Sequence, residues 1–129
     1  MGLTIVGCGY VGLAVARQLQ NRRAQTPLTL TTTREERRTE LMAFADRALL
    51  CDAPQPQQLT RALQGSRTAL FCLGPKRDRQ VDSDGYRHTF VDSFACLRDL
   101  LPELPGLQQI IYPSSCSVYG DADGAWVDE

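Results

Sequence analysis

The sequence predicts a doubly wound, three-layer α/β fold: a parallel sheet of five strands in the order 3-2-1-4-5, with helices on both faces. Three observations carry this expectation. Short apolar or β-branched segments alternate with stretches of helical periodicity, in the order βαβαβαβαβ. The first apolar segment, Leu3-Thr4-Ile5-Val6, runs directly into Gly7-Cys8-Gly9-Tyr10-Val11-Gly12, a G-x-G-x-x-G turn that opens a helix. Glycine and proline punctuate the later segments. Strict alternation calls for right-handed crossovers, which place helices on both faces of the sheet.

Each element follows from local pattern. Leu3–Val6 is a continuous apolar run suited to a strand buried on both faces. The helix after the glycines places Val11, Val15 and Leu19 on one stripe, with Ala14 and Ala16 allowing close packing, and gives way at Asn21-Arg22-Arg23. Pro27 introduces a second strand, Leu28-Thr29-Leu30-Thr31-Thr32. A helix follows from about Arg34, with Thr33 and Glu36 spaced as a capping box and Leu41, Phe44 and Ala45 as its apolar stripe. Ala48–Cys51 reads as strand three, ending at Asp52. Pro54 and Pro56 separate it from a short helix over Gln57–Leu63, with Leu59, Ala62 and Leu63 inward and Gly65 as its stop. Thr68–Leu73 is strand four, closed by Gly74-Pro75. After a polar loop, Lys76 to Gly85, one long helix repeats Tyr86, Phe90, Phe94, Leu97 and Leu101. Pro102 and Pro105-Gly106 end it, and Leu107–Tyr112 is strand five. One domain over residues 1–129 is expected from the length.

Composition narrows the function. A formal net charge of −1 offers no electrostatic case for nucleic acid or for an anionic membrane. No apolar run approaches the roughly 20 residues of a membrane span, and no leader-like segment precedes the first strand, so a cytoplasmic protein is expected. The five cysteines (Cys8, Cys51, Cys72, Cys96 and Cys116) form no C-x-x-C pair, and His88 lies near none of them in sequence. No metal site is expected, and the thiols read as small core residues.

The chemistry concentrates where strands end. In the glycine turn, Gly7 permits the tight reversal, Gly9 leaves room for a pyrophosphate against bare backbone, and Gly12 lets helix and strand approach closely. Tyr10 and Val11 open the helix whose N–H groups favour phosphate. A dinucleotide is the expected ligand. An NAD-selective site carries an acidic residue near the end of strand two, about 20 residues past the glycines, to accept from the ribose 2′-OH. Here that place holds Thr31-Thr32-Thr33-Arg34. Thr32 and Thr33 hydroxyls and the Arg34 guanidinium suit a 2′-phosphate, so NADP(H) is expected over NAD(H). Arg34 is alternatively a solvated helix-start residue, Arg37 and Arg38 read as surface residues, and Glu35 or Glu36 would favour NAD(H) by turning toward the ribose.

Strand five leads into Pro113-Ser114-Ser115-Cys116-Ser117-Val118-Tyr119-Gly120. With this Ser-Ser-x-Ser-Val-Tyr-Gly segment, the chain resembles the extended short-chain dehydrogenase/reductase superfamily, a Rossmann fold. More narrowly it resembles the NAD(P)-dependent epimerase/dehydratase family and its atypical relatives, over essentially its whole length. Family members usually space the glycines G-x-x-G-x-x-G, so G-x-G-x-x-G points to an atypical branch. The resemblance implies that Asp52, with Ala53 beside it, bonds the adenine amino group; a strand-ending cap is the equal alternative. It implies that Leu73, Gly74 and Pro75 pass close to the cofactor. It also implies that Ser115 holds the reacting oxygen of a small-molecule substrate, for instance a nucleotide sugar, with Ser114 and Ser117 as alternatives in a shifted register.

One family feature is missing. Hydride transfer in this superfamily relies on a Tyr with a Lys four residues on, which lowers the phenol pKa from about 10. The residues four beyond Tyr10, Tyr86, Tyr112 and Tyr119 are Ala14, Phe90, Cys116 and Asp123, and the only Lys is Lys76, beside thirteen Arg. The favoured expectation is the N-terminal part of a longer oxidoreductase or epimerase/dehydratase, with an exposed fifth strand prone to association as a homodimer. The alternatives are a non-catalytic NADP(H)-binding sensor and, from Gly9–Leu13 alone, the start of a nucleotide-sugar 6-dehydrogenase.

Overall fold

A computed structural model describes residues 1–23, 25–74, 82–115 and 123–126. Five parallel strands form one sheet: β1 (Gly2–Val6), β2 (Leu28–Thr32), β3 (Arg47–Leu50), β4 (Ser66–Phe71) and β5 (Gln109–Ile111). Their order is β3-β2-β1-β4-β5, as the alternation predicts. In register, Ile5 lies beside Leu30 of β2 and Leu70 of β4, so the middle of β1 is the centre of the sheet. Successive side chains of a strand point to opposite faces. Ile5 and Leu70 accordingly join one core with Cys8, Ala16, Leu28, Leu30, Leu41 and Ala48. Val6 and Phe71 join the other, with Leu59, Ala62, Leu63, Leu97 and Leu100. Burial on both faces is why these strands read as unbroken apolar runs.

The helices are α1 (Tyr10–Asn21), α2 (Glu35–Leu41), α3 (Pro56–Leu63), α4 (Ser83–Tyr86) and α5 (Ser93–Leu100). In α1 the buried face is Gly12 and Ala16, with Leu13, Val15 and Leu19 packed against the core. Val11, expected on that stripe, is 50% exposed, because Gly12 occupies the contact with the sheet. The α3 reading holds closely: Leu59, Ala62 and Leu63 are its buried residues, and Gly65 follows with φ 80°. Beneath α3, buried Thr4 donates its hydroxyl to Ala62 O at 2.9 Å and lies 2.6 Å from Ser66 Oγ, tying β1 to the helix end. No buried side-chain nitrogen or oxygen among the described residues lacks a partner.

Several expectations change; strand three runs Arg47–Leu50 and stops short of Cys51, and strand five covers only Gln109–Ile111 of the expected Leu107–Tyr112. The capping box at α2 does not form: Arg34 is the N-cap residue, no side chain caps the helix, and the Arg34 N–H donates to Thr32 Oγ1 at 3.2 Å. The helix also ends at Leu41, ahead of Phe44 and Ala45. β4 begins at Ser66, two residues earlier than Thr68, while Cys72 and Leu73 lie past its end.

The single long helix is instead α4, a π-helical segment over Arg87–Asp92, and α5. Hydrogen bonds from residue i to i+5 widen the turn and shift the apolar register. Ser93, Leu97 and Leu100 therefore face inward, while Tyr86 and Leu101 are exposed. The Ser93 hydroxyl donates to His88 O at 3.3 Å. Part of the polar loop before α4, residues 75–81, lies outside the described residues; its end, Ser83 to Gly85, is helical.

Candidate functional site

In a parallel sheet all strands end on one side, and the described candidate residues follow strand ends there. The turn after β1 is the most constrained. Gly7 has φ 78°, and a Cβ there would lie 3.0 Å from Cys72 O and 3.2 Å from Leu73 Cδ2. A Cβ on Gly12 would lie 2.9 Å from Ile5 Cγ2. Around Gly9 a Cβ meets nothing within 4 Å. Two of the glycines thus serve internal packing, and the third faces open space where a pyrophosphate would need bare backbone. The turn is tied to β2: the Gly7 N–H donates to Thr31 Oγ1 at 2.9 Å, and the Cys8 N–H donates to Thr31 O at 2.7 Å. Gly9 is the N-cap of α1, without a side-chain cap and without an acidic residue in the first turn. Tyr10 is 88% exposed beside it. A helix start with open backbone donors and no acidic residue in its first turn suits an anion.

Burial pushes the Cys8 thiol up to about 11, although the Arg37 guanidinium pulls the other way. Cys8 is therefore a neutral thiol near pH 7, a packing residue with no thiolate character.

At the end of β2, Thr32 is buried and Thr33 is exposed. Arg34 pairs with Glu36, with Nε 2.7 Å from Oε1 and both side chains about two-thirds exposed (64% and 66%). Arg37, read as a surface residue, lies against the turn: its Nη1 donates to Cys8 O at 3.0 Å. Its side chain is only 25% exposed.

After β3, Ala53 is buried and Asp52 is partly exposed. The Asp52 N–H donates to Gln58 Oε1 at 2.8 Å, and both Asp52 carboxylate oxygens lie 3.2 Å from His88 Nε2. Sequence reasoning gave His88 no role. The π-helical segment brings it here, and no local sequence signal marks such a segment. After β4, Leu73 packs near Gly7, and Gly74 is exposed with room for a Cβ on every side. Pro75 lies outside the described residues. Ser114 and Ser115 are exposed past the end of β5, while Cys116 to Ala122, including Ser117, Tyr119 and Gly120, lie outside the described residues. Tyr112 sets its ring edge-on to Phe94, with centroids 4.9 Å apart, and Phe94 touches Phe71 at 5.2 Å.

Among the described residues no cluster of His, Cys, Asp and Glu has the arrangement of a metal site, and no helix is long and apolar enough to cross a membrane. The glycine turn, the end of β2 and the Asp52 corner follow three neighbouring strands, β1, β2 and β3.

No protein-family model matches the chain, and no curated protein matches it in sequence. Solved structures do. ADP-L-glycero-D-manno-heptose-6-epimerase from Helicobacter pylori superposes with a TM-score of 0.77 at 19% identity, covering 98% of this chain and 43% of that one. A short-chain dehydrogenase/reductase superfamily protein from Agrobacterium tumefaciens with bound NAD matches with a TM-score of 0.67 at 20% identity, covering 93% of this chain and 34% of that one. The protein gox2253 matches with a TM-score of 0.72 at 26% identity, over 96% of this chain and 37% of that one. The fold is thus that of short-chain dehydrogenases and sugar epimerases, as the glycine turn and Ser114–Gly120 suggest. The chain spans well under half the length of these three structures.

Proposed function

We propose that the chain is the cofactor-binding part of an NAD(P)-dependent oxidoreductase or epimerase/dehydratase, acting on a small-molecule substrate of the sugar or nucleotide-sugar class, with NADP(H) preferred over NAD(H). The observation that carries this is the turn after β1. Two of its glycines are locked by packing, while Gly9 stands open at an uncapped helix start. The solved structures of like fold support the reading, one of them with bound NAD.

A bound nicotinamide cofactor supplies hydride chemistry. This chain's own residues would bind and orient it. The backbone of Gly7–Gly12 receives the pyrophosphate, with Tyr10 and Val11 contributing N–H groups at the start of α1. Thr32, Thr33 and an arginine of α2 surround the adenosine ribose. Asp52, Ala53, Leu73 and Gly74 would border the adenine and the second ribose. Ser115 orients the substrate oxygen at the end of β5. For Asp52 to accept from adenine, its carboxylate must share or leave His88.

Titrating the protein with NADPH and NADH by cofactor fluorescence tests the proposal. Saturable binding with NADPH the tighter is expected; no binding of either overturns it, and tighter NADH overturns the preference. The same open glycine turn would serve a second reading, a sensor that binds NADP(H) without turnover. Oxidation of bound NADPH by sugar-derived aldehydes or ketones would exclude the sensor.

A further inference from the structure

We infer that Arg37, and not Arg34, is the side chain that recognises a 2′-phosphate on the adenosine ribose and so sets the cofactor preference. This rests on the dinucleotide reading above and says which residue gives it selectivity. Three arginines lie on α2 or at its start: Arg34, Arg37 and Arg38. Arg34 is held at 2.7 Å by Glu36 in solvent. Arg38 is paired with Glu35 at 2.9 Å, both side chains about half exposed or more (48% and 60%). Arg37 differs from both. Its acidic neighbour, Glu40, is farther off at 3.5 Å, and its Nη1 is anchored instead on Cys8 O, inside the glycine turn, at 3.0 Å.

Place and chemistry both favour it. Cys8 donates its N–H to Thr31 O, so this part of the turn abuts the end of β2. In doubly wound sheets the ribose 2′ position lies at that end, beside the glycines. The Arg37 guanidinium therefore sits at the ribose corner. Of its five N–H donors, one is on Cys8 O and another is directed toward Glu40, which leaves donors in a planar fork suited to phosphate oxygens.

Arg34 is poorly suited by comparison. It would bring Glu36 with it at 2.7 Å, a tighter carboxylate partner than Glu40 at 3.5 Å from Arg37, and that carboxyl is held below the usual range, first by a backbone hydrogen bond and then by Arg34 itself. An ionised carboxylate beside a 2′-phosphate repels it.

The test is a binding comparison on the purified protein, wild type against R37Q, R37K and R34Q, with four ligands: NADPH, NADH, 2′,5′-ADP and 5′-AMP. R37Q is expected to weaken NADPH and 2′,5′-ADP by about tenfold to a hundredfold while leaving NADH and 5′-AMP within about twofold. R37K, which keeps the charge but not the fork, should fall between; R34Q should move all four ligands by less than about threefold. Equal losses for both ligand pairs in R37Q would assign Arg37 to holding the turn and overturn the inference, as would a 2′-phosphate-specific loss in R34Q. Should R37Q fail to fold by circular dichroism, the same ligand split in R37K decides. Wild-type protein that binds NADH but neither 2′-phosphorylated ligand overturns this inference and leaves the dinucleotide reading standing. Wild-type protein that binds none of the four overturns both.

Discussion

The carboxyl ends of β1 and β5 carry the two halves of the proposed chemistry, and they are built in opposite ways. At β1 the strand is flanked on both edges, Ile5 is fully buried, and the turn beyond is pinned by Thr31 from one side and by Cys72 and Leu73 from the other. At β5 the strand pairs on one edge only, spans three residues, and leaves Ile110, Ile111 and Tyr112 each more than 40% exposed. Ser115 follows on that exposed side. The turn proposed to grip the cofactor is thus shaped by the core. The end proposed to orient the substrate is tied to the core chiefly through Tyr112, whose ring meets Phe94 and, through it, Phe71.

Four perturbations probe this contrast. The largest effect is expected at Ile5, fully buried at the sheet centre. Ile5→Ala should cost about 2–5 kcal/mol in urea unfolding and loosen the turn above it. A cost below about 1 kcal/mol would mean that the turn does not depend on the core.

Alkaline pH comes next. Burial raises the Cys8 thiol from 9.0 to about 11 and the Cys51 thiol to about 12. Folded-state values above the unfolded one mean that the protonated thiols favour the fold. Stability should be full below pH 9.0 and decline as pH rises through about 11 to 12, by a few kcal/mol in all. Urea midpoints at about pH 8 and about pH 11 measure the decline, and an unchanged midpoint would refute the burial argument.

The glycines separate packing from binding. Gly12→Val sets new atoms against Ile5 and should cost about 1–3 kcal/mol. Gly9→Ala meets nothing and should move stability by about 1 kcal/mol or less, yet weaken dinucleotide binding at least about tenfold. Equal effects of the two on stability would break the distinction. The smallest change belongs to β5: Ile111→Ala, 43% exposed at the start, should alter stability by less than about 1 kcal/mol.

Much of this architecture was legible in the residues themselves. β2 falls on Leu28–Thr32 because Pro27 and the three threonines punctuate it, and α3 buries the three residues that its spacing selects. What was not legible turns on registers that only tertiary contact sets. Val11 has the same spacing credentials as Val15, but close approach at Gly12 rotates the helix so that Val11 faces outward. Arg37 and Arg38 look alike in sequence, and a one-residue step around α2 sends one to Cys8 O and the other to Glu35. The contact of His88 with Asp52 joins residues 36 apart across a segment of unusual helical geometry.

That segment, Arg87–Asp92, also bears on how the chain can change in length. An i to i+5 turn is equivalent to an α-helix carrying one inserted residue. Deleting one residue there would let an ordinary α-helix run through while α4 and α5 keep their facing, because the wide turn already takes up the extra residue. Leu97 and Leu100 would keep their seats in the core, whereas His88 would swing off Asp52. A single codon's gain or loss in this stretch is therefore a route by which Asp52 can be paired with a histidine or freed of it, with the sheet left untouched.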